Sequence, residues 1–158
     1  MSRKPIFIIL DEANGKKRRA DRVKVLQENS SKELKTILDY TFNDNVKWLL
    51  PEGVPPFKAS IENDNVLFAR LYQEIRRLPI FLNIGNYPNL TQIKRENLFI
   101  SMLESLHPKD AEILCSMKDK TLPQKNIDKN IIIEAFPIFT SYWPDVKKAK
   151  EQVSKKTS

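Results

Sequence analysis

Glycine is scarce in this chain, with three residues at Gly15, Gly53 and Gly85. Glycines so isolated cannot build a phosphate-cradling P-loop or a dinucleotide fingerprint, which need several at close spacing. The single cysteine, Cys115, excludes an internal disulfide and fits a reducing cytoplasm. One cysteine and one histidine exclude the usual zinc sites. His107 and Cys115 are two helical turns apart, too far for a local nucleophile–base pair. The acidic pairs Asp110/Glu112 and Asp11/Glu12 read as complements to helix dipoles rather than magnesium ligands. The expectation is a protein with no cofactor, no metal and no enzymatic activity. Long apolar runs are missing too. Ile6 to Leu10 is followed at once by Asp11 and Glu12, too short for a signal peptide or a membrane span, so no membrane partner is expected. No stretch alternates apolar and polar residues long enough for a sheet, and there is no internal repeat.

What is present is helical patterning and positive charge. The 158 residues suggest one domain, and 41% hydrophobic content suffices for a packed core. The net charge of +7 favours a polyanionic partner, most simply nucleic acid. The expected fold is all-α, a compact bundle of about seven helices over residues 1–144. It carries a proline-rich internal loop, and a basic, flexible tail follows over residues 145–158.

Pro5 opens a first helix and Gly15 closes it, with Ile6, Ile9, Leu10 and Ala13 inward. Lys16, Lys17, Arg18 and Arg19 then crowd a helix start. That end of a helix is itself positive, so the run is costly locally and is a candidate contact site. Ser30 and Glu33 have capping-box spacing before a third helix. Pro51, Pro55, Pro56 and Gly53 forbid a helix and predict a stiff surface loop pinned by Phe57. One long helix is expected from about Asn65 to Leu78, bent or ended by Pro79. Thr91 caps another from about Gln92 to Leu106, with a stripe of Ile93, Leu98, Phe99, Met102, Leu103 and Leu106. Phe139, Tyr142 and Trp143 are candidates for docking the C-terminal segment.

Ser101 to Pro137 carries the densest local signals. His107 is placed to cap a helix opened by Pro108, Asp110 meets its dipole, and Lys118 and Lys120 close it. Asp128 caps a short helix carrying Ile131, Ile132, Ile133 and Phe136, which Pro137 ends. Between them lies a basic turn with Lys118, Lys120 and Lys125.

The pattern Leu-x-x-Leu-x-Pro-x-x-Ala-x-x-Leu around Pro108, then Lys118-Asp119 and a helix ending Phe136-Pro137, resembles the end of the helical N-terminal DNA-binding domain of ATP-dependent DNA ligases. The resemblance implies that the basic turn touches duplex backbone across the minor groove. The Lys-x-Asp-Gly motif of lysyl-AMP chemistry is missing, so ligation by this chain is excluded, and so is the glycine that usually follows the Lys-Asp segment. Leu49-Leu50-Pro51-Glu52-Gly53-Val54-Pro55-Pro56-Phe57 and Leu103-Glu104-Ser105-Leu106-His107-Pro108-Lys109-Asp110 are also similar to an uncharacterised family of small proteins of T-even-like tailed bacteriophages, including cyanophages. That similarity implies a viral, single-module protein in the cytoplasm of the infected host cell.

Two functions are therefore expected in competition. One is a sequence-independent DNA-binding accessory module using Lys118, Lys120 and Lys125, with Lys16, Lys17, Arg18 and Arg19 as a second contact. The other is a protein-interaction adaptor for a phage or host protein, such as a sliding clamp, polymerase or virion component, using the Pro51–Phe57 loop and the aromatic C-terminal segment.

Overall fold

The computed structural model describes residues 4–62, 64–141 and 143. Tyr142 and the lysine-rich segment from Asp145 lie outside the described residues. Within them the fold is all-α, and the single sheet-like feature is an isolated antiparallel bridge between Trp48 and Leu82.

The chain opens with α1 (Ile6–Asn14), entered at Pro5 and left at Gly15. Its buried face is Ile6, Ile9, Leu10 and Ala13, spaced for one helical stripe. α2 (Arg19–Glu28) packs between α1 and α8 (Lys129–Ala135). α3 (Lys32–Phe42) begins one residue later than the capping-box spacing suggests. The Ser30 amide still donates to the Gln27 carbonyl at the end of α2, and the Ser31 hydroxyl accepts from the Leu34 amide at 3.0 Å instead.

The long helix expected from Asn65 to Leu78 is three pieces. α4 (Asp64–Leu67) and α5 (Arg70–Glu74) are followed by a 3₁₀ helix over Ile75–Phe81. Pro79 explains the last part. It lacks the N–H for the Ile75 carbonyl and its ring crowds that carbonyl, so the chain tightens to three residues per turn. Leu67, Leu71, Ile75 and Leu78 still point inward, as the spacing requires. Gly85 closes the following turn, where a Cβ would stand 2.2 Å from the Pro79 carbonyl oxygen, so no other residue fits.

α6 (Gln92–Ser105) starts at Thr91, whose hydroxyl accepts from the Lys94 amide. Phe99, Met102 and Leu103 are buried, but Ile93, expected in the same stripe, is 72% exposed. α7 (Pro108–Lys118) runs through the core, touching α1, α3 and α6. His107 Nδ1 accepts from the Lys109 amide, and Pro108 takes the first helical position as expected. The Asp128 carboxylate caps α8 by accepting from Ile131 at 2.9 Å. A 3₁₀ turn at Pro137–Ser141 brings Phe139 onto Trp143, with ring centroids 4.5 Å apart. The Trp143 indole donates to Asp39 Oδ1 at 2.8 Å, which anchors this end to α3.

Candidate nucleic-acid interface

The seven basic residues singled out in the sequence separate into two groups. Lys118 and Lys120 face inward. The Lys118 side chain is 2% exposed, and its ammonium donates to the Pro51 carbonyl at 2.6 Å and to Asp119 Oδ1 at 3.0 Å. Lys120 follows α7 with φ of 65°. Its amide donates to the Met117 carbonyl and the Thr121 amide to the Ser116 carbonyl, the double bond pattern of a Schellman motif. Glycine usually holds that left-handed position, and a lysine there costs about 1–2 kcal/mol. The ammonium offsets the strain. It donates to the carbonyls of Asn43 and Val46 at 2.8 Å and of Tyr40 at 3.3 Å, at the negative end of α3. Burial lowers its pKa. Lys120 thus serves the dipole of α3, not that of α7, and neither lysine presents its charge to a phosphate. This corrects the expectation for both.

Lys125 and the Lys16–Arg19 run form the second group, and the fold brings them together. The Asn126 amide donates to Asn14 Oδ1 at 2.8 Å, and Asn126 Nδ2 donates to the Asn14 carbonyl at 2.9 Å. Beside them Gln124 Nε2 donates to Asp11 Oδ1 at 2.7 Å. The turn before α8 is thereby zipped to the end of α1. Lys16, Lys17, Arg18 and Lys125 are exposed, and among the described residues none of the four is in an ion pair. Lys125 donates to the neutral Thr121 hydroxyl. Arg19 differs, since its guanidinium meets Glu134 at 2.7 Å and that bond raises its pKa. The Arg22 guanidinium donates to the Lys16 carbonyl at 2.9 Å and fixes the turn from the α2 side.

The result is a double turn with four accessible cations, Lys16, Lys17 and Arg18 leading into the positive end of α2 and Lys125 in the turn bonded to the end of α1. Backbone contact by such a cluster needs only charge and reach, because phosphates carry no sequence information. The positioning residues Asn14, Asn126 and Arg22 escaped the sequence reading. For the two asparagines the advance signal is residue type, since asparagine beside a glycine or in a polar turn is a habitual bonder of turn backbone, whereas Arg22 carries none.

Elsewhere the chemistry is sparse. No group of three or more His, Cys, Asp or Glu side chains that could hold a metal occurs among the described residues. His107 stacks on Phe7 at 4.6 Å, and Cys115 is buried with its thiol pushed up by burial. Asp110 stands in the first turn of α7 as expected, but inside the core. It is fully buried, neither carboxylate oxygen has a hydrogen-bond partner among the described residues, and burial pushes its pKa up to about 7. Among the described residues no helix is long and apolar enough to cross a membrane.

Residues 9–124 match a family described as being of unknown function (DUF6433), and the chain belongs to that family. The match takes in the Lys16–Arg19 turn and ends at Gln124, next to Lys125. No curated protein and no solved structure matches the chain.

Proposed function

We propose that this member of the DUF6433 family is a DNA-binding accessory module that grips the phosphate backbone without reading sequence. The observation that supports it is the Asn14–Asn126 zipper, which joins Lys125 to Lys16, Lys17 and Arg18 in one exposed cluster. Four cations make a small footprint. Binding dominated by counterion release from so few contacts would be moderate in affinity and in salt dependence, with a log–log slope of roughly −3 to −4 on duplex. Small footprints suit a protein that rides on DNA already engaged by larger machinery. The ligase and phage resemblances fit that role, as an accessory to replication, repair or transcription in the cytoplasm of a phage-infected cell.

The test is fluorescence anisotropy with labelled duplex, nicked duplex and single strand. Reversal of Lys16, Lys17, Arg18 and Lys125 to Glu is expected to abolish binding to all three. Unchanged affinity in that variant would sink the proposal.

A further inference from the structure

The proline-rich loop is a strap with an opening on each side. Between the strap and α6 lies a cavity of about 210 Å³ walled by Pro51, Val54, Pro55, Phe99 and Ile100. Between the strap and α7 lies a second of about 420 Å³, reached past Val54 and Phe57 and backed by Cys115 and Ser116. Val54 lines both and is itself 72% exposed.

The strap is held in place rather than draped. Lys118 binds the Pro51 carbonyl, and the Gly53 amide donates to the Asp119 carboxylate at 3.3 Å. Gly53 takes φ of 88°, which turns the chain so that both tethers reach the end of α7. Pro55 and Pro56 stiffen the stretch leading to Phe57. A preformed apolar groove loses little freedom on binding. Its α6 wall continues upward, since Ile93 stands seven residues before Ile100 on the same helix face and is 72% exposed.

Charge says what would lie there. Glu52 and Glu96 border the first cavity, and Glu112 and Asp119 the second. The one lysine lining either, Lys118, is already bonded to Asp119 and Pro51. Glu112 is paired with Lys109 at 3.9 Å and Asp119 with Lys118, so the acidic surplus rests on Glu52 and Glu96 at the first cavity. In a chain of net charge +7 an acidic, apolar groove runs against the whole.

We infer that this groove is a docking site for a basic segment of a partner protein, with apolar side chains seated on either side of Val54 and lysine or arginine over Glu52 and Glu96. The two-anchor pattern comes from the two openings, and the basic flanks come from the carboxylates. Docking here does not depend on DNA binding.

The net charge makes the test sharp. Long-range electrostatics of this chain attract acidic peptides and repel basic ones, so a preference for the basic one must come from the groove. The probes are a short labelled peptide of Leu, Val and Lys, and the same peptide with Glu for every Lys. Both are titrated into the full ¹⁵N-labelled chain. The expected result is saturable binding of the basic probe, with shifts at Val54, Glu96 and Ile100, and at least roughly ten-fold weaker binding of the acidic one. The exposed substitution Glu52→Lys, combined with Val54→Ser, is expected to remove basic-probe binding while the far-ultraviolet spectrum stays unchanged. Equal or tighter binding of the acidic probe overturns the inference, as does binding of the basic probe that the double variant leaves intact. Concentration-dependent dimers dispersed by the double variant would assign the groove to a second copy and overturn it as well.

Discussion

Asn126 hands its backbone N–H to Asn14 Oδ1 and its side-chain N–H to the Asn14 carbonyl, so two residues 112 positions apart in the chain fix one turn against another. Neither asparagine carries charge, yet their pairing decides which lysines share a surface. The expected consequence is a coupled loss. Asn126→Ala removes the side-chain bond, and Asn14→Ala removes the acceptor for the backbone one. Each should lower stability by only about 0.5–1.5 kcal/mol, since the bonds are exposed. DNA affinity should fall several-fold in both, although no cation is removed. Urea denaturation and anisotropy on the same samples check the pair of effects.

Lys120 makes a different expectation. Lys120→Met takes the ammonium from three carbonyls, of which Tyr40 keeps the Trp48 indole N–H and Asn43 the Val46 amide while Val46 loses its donor, and it keeps the left-handed strain, for a loss of about 2–3 kcal/mol. Lys120→Gly relieves the strain but not the lost bonds, so it should fall between Met and the native residue. Thermal unfolding of the three proteins gives the order directly.

How legible these features were from the sequence depends on the range of the interaction. The helix starts at Thr91, His107–Pro108 and Asp128 were readable because each cap and its partner lie within a few residues, and the start at Pro5 because the ring's fixed φ is a property of that residue alone. Even here a one-residue rival can win, as Ser31 does over Ser30. The inward turn of Lys118 and Lys120 was not readable. Their acceptors Pro51, Asn43 and Val46 lie 67, 77 and 74 residues away, and a lysine after a helix looks the same whether its charge faces water or a distant carbonyl. Ile93 misled for the opposite reason. It matches the apolar period of α6, but it lies in the first turn of the helix and is 72% exposed.

Asp110 links the core to pH. Its folded pKa of about 7 lies above the ordinary 3.8, so the folded chain holds a proton that the unfolded chain releases. Stability from this group is therefore fully present below about pH 4 and is lost as pH rises towards 7. The shift corresponds to at most about 4 kcal/mol. Asp110→Asn should be more stable than the native chain at pH 7 and should flatten the pH dependence between 4 and 7. Equal slopes for the two proteins would show that the carboxyl finds a compensating partner in solution.

The central claim is that accessible charge at the zipped turns, not the charge in the basic turn as a whole, holds the phosphate backbone. The salt dependence of duplex binding in two variants tests it most directly. Alanine at Lys16, Lys17, Arg18 and Lys125 should take the log–log slope from roughly −3 to −4 to near zero. Methionine at Lys118, measured where the protein remains folded, should leave the slope unchanged. A slope that survives the first set and falls with the second would contradict the account.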